Sequence, residues 1–377
     1  MKFKKIGSTV LIVVSLLYLF SLSAFGEELD PHSESADYGA EIYSALDGEA
    51  KEILSSFGID TLNFDSVFNI SFSQSFRAVG DILKSSVKDA APYFFKMLAM
   101  LIAMTVIAAV RPDKSGEKDI VSSVFAMITV IMTASFVSDI LTQTVGVFNL
   151  TGKLLLTLAP IITALLSVSG NVTVSVLYNS VTVAAAQIVS SIAAELLIPL
   201  IGVYFSFVIS LDLGEDVKGD RLVHSINKVL TGGFAALSTV FTFILSVKNV
   251  LAKDLDGVLY KSGKYVISSF VPVVGSNISA ILSSVVGSLE LIKSTVAVFG
   301  IICVAAINIP ILVKLSVCYA VLCLLGIIGD LFSAPSASSV VRGFAGGIKL
   351  LTAMVFFELV LVIIATGLTV TIKGAAG

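Results

Sequence analysis

Histidine is almost missing from this 377-residue chain: His32 and His224 stand far apart, both in polar surroundings. Two remote imidazoles do not make the close set that a metal site or a histidine-based catalytic dyad needs. Cysteine is as sparse. Cys303, Cys318 and Cys323 all fall inside apolar blocks, and an odd number in such surroundings reads as small apolar packing residues rather than a disulfide framework. The HExxH, GxSxG, Walker A and post-strand GxGxxG signatures are also absent, so nothing points to hydrolysis or to nucleotide chemistry. The expectation is a non-enzymatic protein with no catalytic residues, no metal and no cofactor.

Charge is scarce too, at 14% of residues against 56% hydrophobic. The apolar residues come in long blocks, such as 93–110 and 296–313, not in the short alternating runs of an outer-membrane barrel. The fold expected is therefore all-α: a polytopic helical transmembrane protein of roughly seven to nine spans, some of them broken or re-entrant. The blocks that suggest spans are 93–110, 120–141, 154–168, 172–192, 194–211, 229–247, 266–287, 295–313, 315–332 and 350–371. They cannot all be simple crossings, because the two positive clusters holding Lys218, Arg221 and Lys228, and Lys248, Lys253, Lys261 and Lys264, are separated by the single stretch 229–247.

Three parts follow from composition. Lys2, Lys4 and Lys5 precede an apolar run ending at Ala24 and Gly26, the pattern of a signal peptide over 1–26, with an uncleaved anchor helix as the rival reading. Residues 27–90 carry 13 acids against 4 bases. They read as an acidic extracytoplasmic segment, either two amphipathic helices or a simple solvated stretch. Residues 91–377 then form the membrane domain, whose first loop, "RPDKSGEK", carries the cytoplasmic positive charge.

Within that domain a few residues are costly where they stand. Glu195 and Glu358 are carboxylates inside apolar blocks, and such groups usually face protein or water rather than lipid. Steps of helical spacing back from Glu195 reach Ser191, Gln187 and Ser180, a polar intramembrane stripe that serves either as an interhelical seam or as the lining of a polar path. Lys96, Asp139 and Asp330 read as anchors near span ends. In "SSFVPVVGSNISAILSSVVGSLELIKS" (268–294), Pro272 breaks the helix entry. Gly275, Ser279, Ser283 and Gly287 then line up four apart as a flat helix-docking face. A second small-residue tract, "SAPSASSVVRGFAGG" (333–347), is either a hinge or another docking surface.

The run "KYVISSFVPVVGSNISAILSSVVGSLELIKSTVAVFG" (264–300) resembles the stage III sporulation protein AE family of endospore-forming bacteria. The resemblance extends over the order of segments, although Ser276 stands where the family tends to carry a second glycine. It implies a platform or conduit subunit of the transenvelope, secretion-like channel between mother cell and forespore, required for late forespore gene expression. It also implies a place in the mother-cell-derived membrane, with residues 27–90 facing the intermembrane space. The implied partners are other stage III sporulation proteins of the same operon, indirectly stage II sporulation protein Q, and possible further copies of the chain. The alternative from another class is a stand-alone permease for a small solute, with discontinuous helices near Pro199 and Pro272.

Overall fold

A computed structural model describes residues 72–110, 120–168 and 275–371, short pieces at 175–176, 178–180, 182–184 and 202–206, and a few isolated positions; over 275–295 only the backbone is described. Among the described residues there are four long helices and no strand: α1 (Phe72–Val110), α2 (Ile120–Val168), α3 (Gly275–Leu331) and α4 (Pro335–Thr371). Each contains a stretch long and apolar enough to cross a bilayer, namely Val79–Ile107, Ser123–Ser167, Phe299–Leu331 and Pro335–Val360.

The helices are longer than the apolar blocks that mark them. Blocks 120–141 and 154–168 are joined through "TQTVGVFNLTGK" into one 49-residue helix. Blocks 295–313 and 315–332 lie on one 57-residue helix. Pro92, Pro160 and Pro310 all sit inside helices, although proline removes a backbone donor and disfavours the helix interior in water. Membrane helices tolerate this when neighbours satisfy the freed groups. Thus α1 runs through Pro92 and across the expected boundary between exported segment and membrane domain at 90/91. Asp139, expected at a span end, stands well inside α2.

Side-chain pairs fix the directions. Tyr93 of α1 bonds Thr133 of α2 at 2.9 Å and stacks on Phe136 with ring centroids 4.1 Å apart, while Thr129 reaches Met100. Rising number on one helix meets falling number on the other, so α1 and α2 are antiparallel. Lys314 to Gln143 and Asn308 to Thr151 show the same for α3 and α2. The faces between the helices are filled by Leu154, Leu158, Ile162, Val304, Leu315, Leu322, Phe344 and Val355, all buried. Large apolar side chains on the outer faces, including Phe95 and Ile131 at 64% and 69% exposure, are what lipid contact requires.

The α3–α4 hairpin is built from small residues and a tight turn. The Ala334 N–H donates to Gly329 O at 2.9 Å and the Ser333 N–H to Asp330 O at 3.1 Å, the paired bonds of a Schellman C-cap. Ser333 occupies the left-handed position, at φ 54°. Pro335 then opens α4 where a missing N–H costs nothing, and Ala334 O accepts the first helical bond from Ser338. Gly326 and Gly329 let α4 come close: a Cβ at 329 would lie 3.1 Å from Ser338 Cβ and 3.3 Å from its Cα. The Ser338 hydroxyl donates to Gly326 O at 2.9 Å and lies 2.5 Å from Asp330 Oδ1; the other Asp330 oxygen pairs with Arg342.

The tract 333–347 is thus a docking surface: a tight turn at Ser333 and Ala334 followed by unbroken helix from Pro335. Further along it, Tyr204 and Phe205 seat against Gly346 and Gly347. Tyr204 donates to Gly343 O at 3.0 Å, and Phe205 stacks on Phe344 at 4.5 Å.

Candidate functional site: a polar junction inside the bundle

Three helices bring one polar side chain each to a common buried place. Thr151 comes from α2, Asn308 from α3 and Glu358 from α4, with exposures of 0%, 0% and 2%. Asn308 Nδ2 donates to Thr151 Oγ1 at 3.1 Å and to Val304 O, one turn back on its own helix, at 3.0 Å. These two acceptors fix the amide orientation, because the reverse would set the amide oxygen against Val304 O. Asn308 Oδ1 is left with no hydrogen bond. Thr151 also lies beside the Glu358 carboxyl, in a geometry short of a hydrogen bond, and neither carboxyl oxygen has one.

Elsewhere the polar side chains of α2 mostly turn back on their own helix: Thr144 to Ile140 O and Thr163 to Ala159 O, for example. That is the quiet way to satisfy a hydroxyl at membrane depth. Against this background three unpaired acceptor oxygens at one helix junction are unusual, since buried polar atoms nearly always find partners. Close packing shuts the junction toward higher numbers on α2. A Cβ at Gly300 would meet Leu158 Cδ1 at 2.8 Å and Thr366 Cγ2 at 3.5 Å.

A second polar feature lies six residues further along α3. Lys314 donates to Gln143 Oε1 at 2.9 Å beside a cleft of about 260 Å³ that also takes in Ser86 and Asp89 of α1 and Asp139 of α2. Cation, amide and two exposed acids make a polar notch in the side of the bundle.

The residues singled out in the sequence fall differently. Glu358 is at the junction. Ser180 is exposed and its hydroxyl bonds Val176 O at 2.9 Å; Gln187, Ser191 and Glu195 lie outside the described residues, as does Pro272. Gly275, Ser279, Ser283 and Gly287 stand on helical backbone at the start of α3, and their surroundings are outside the description. Asp330 sits at the end of α3, where it meets Ser338 and Arg342 of α4, and Lys96 is exposed on α1. Sequence reasoning missed Asn308 and Thr151. The available signal was that Asn308 is the only strongly polar residue between Gly300 and Val313.

The family model described as stage III sporulation protein AE matches residues 61–373. A curated relative, stage III sporulation protein AE of Bacillus subtilis (strain 168), is 23% identical over 296 residues, covering 74% of this chain and 73% of the relative. No solved structure matches the chain. With all four described helices inside or overlapping the matched range, this helical chain with membrane-spanning character belongs to the stage III sporulation protein AE family.

Proposed function

We propose that the chain is a non-enzymatic membrane subunit of the transenvelope, secretion-like complex joining mother cell and forespore, and that its described helices serve as a platform rather than as a pore. The observation that carries the platform reading is the packing of α2, α3 and α4: the faces between them are closed by Leu, Ile, Val and Ala side chains, leaving a buried polar junction and a side notch. Family membership supports the developmental setting. The chain then stands in the mother-cell-derived membrane around the forespore. Its acidic segment meets other stage III sporulation proteins and, through them, stage II sporulation protein Q; any conduit is completed by those neighbours or by further copies.

The test is deletion in the spore-forming host, followed by complementation with a tagged chain. The expected result is loss of late forespore gene expression on deletion, with recovery of other stage III proteins alongside the tagged chain after detergent extraction. Recovery of the chain alone, together with uptake of a small solute by vesicles containing only this protein, would establish the permease instead.

A further inference from the structure

The donors and acceptors at the Thr151, Asn308 and Glu358 junction do not balance, and the deficit is small and definite. Both amide hydrogens of Asn308 are spent, on Thr151 Oγ1 and Val304 O. Three acceptor oxygens remain without a hydrogen bond: Asn308 Oδ1 and the two carboxyl oxygens of Glu358. One donor is at hand, the Thr151 hydroxyl, which accepts from Asn308 and keeps its own hydrogen for the adjacent carboxyl. No cation makes up the difference among the described residues. Thr151 is the side chain that acts on the Glu358 carboxyl, and no charged group does so among the described residues. The nearest charged residue in sequence to Thr151 on α2 is Lys153, which is exposed, and the nearest to Asn308 on α3 is Lys314, which is turned to Gln143, while the titratable group closer to Asn308 is the buried thiol of Cys303.

We propose that the junction is a binding site for a single exchangeable proton, carried by Glu358 and donated to Asn308 Oδ1. One added proton closes the count: the carboxylic acid O–H satisfies the amide oxygen, and Thr151 satisfies the second carboxyl oxygen. Loss of that proton leaves a full negative charge facing one hydroxyl donor at a three-helix contact, a place where an unpaired charge is strongly unfavourable. Proton occupancy is therefore coupled to the packing of α4 against α2 and α3. The proposal does not depend on the sporulation complex and can be examined in the isolated protein.

Infrared spectroscopy of the full-length protein in detergent at neutral pH reads this directly. Exposed carboxyls are ionised under those conditions, so a protonated-carboxyl stretch stands clear. The band is expected in the native protein, shifted by deuterium oxide, shifted also by ¹³C-glutamate labelling, and lost in E358Q. In N308L, where the acceptor is gone, it should move to higher frequency. Should E358Q fail to fold, ¹³C-glutamate-labelled E195Q keeps the result readable, because Glu195 is the other glutamate that stands in an apolar block and a band that survives its replacement belongs to Glu358. Absence of the band in folded, labelled native protein overturns the proposal. So does a glutamate carboxylate band that responds to sodium but not to potassium, which would place a metal cation in the junction. A band left unchanged by N308L overturns the assigned hydrogen bond.

Discussion

Replacement of Gly329 by alanine tests the close approach of α3 and α4. Two effects oppose each other. Alanine is the better helix former by about 1 kcal/mol. Against this, the new methyl would sit 3.1 Å from Ser338 Cβ, 3.3 Å from Ser338 Cα and 3.5 Å from Ser338 N. Two of those three atoms are backbone, in the first turn of α4, where the turn bonds at Ser333 and Ala334 hold the chain; the neighbour cannot simply swing away. Overpacking of this kind costs about 1–3 kcal/mol, so the net expected is a loss of up to about 2 kcal/mol. Gly146 of α2 is the internal control, since a Cβ there meets nothing within 4 Å and only the helix-propensity gain applies. The assay is unfolding of the purified protein in mixed micelles with increasing denaturing detergent, followed by helical circular dichroism. G146A should move the midpoint up and G329A down. Equal stabilisation by both would refute the packing argument.

Three further outcomes follow from the same geometry. Ser333→Gly should stabilise by about 1 kcal/mol and Ser333→Val should destabilise by more, because left-handed backbone costs L-residues about 1–2 kcal/mol; the same detergent titration reads both. Neutralising the Asp330–Arg342 pair, whose side chains are 49% and 54% exposed, should cost no more than about 1 kcal/mol in a double-mutant cycle and should matter less as salt rises. A Q143C/K314C variant on a background lacking the native cysteines should form an intramolecular cross-link with a short bifunctional thiol reagent. Failure to do so while folded would contradict the antiparallel register of α2 and α3.

The helical class and the apolar core of each long helix were legible because block hydrophobicity needs no tertiary information. Helix ends were not. Gln143, Asn149, Thr151, Gly152 and Lys153 look like a loop between two spans, yet in the structure Gln143 faces Lys314 and Thr151 faces Asn308. These partners lie more than 150 positions away, and spacing along one helix cannot name them. Glu358 stood out because a carboxylate in an apolar block is conspicuous alone. Asn308 and Thr151 acquire meaning only once three helices converge. The tract 333–347 was recognised by its small residues, but whether it bent or docked depended on Gly326 and Gly329 across the turn.

The length of α3 has a mechanical consequence. Its 57 residues amount to about 85 Å at the rise of an α-helix, more than twice the hydrocarbon thickness of a bilayer of about 30 Å. The small residues at 275–287 and the asparagine at 308 are therefore carried on one rod. A protein that gripped the near end would not need to touch the buried junction to disturb it: a tilt of the rod there arrives at Asn308 as a change in its distance from Glu358.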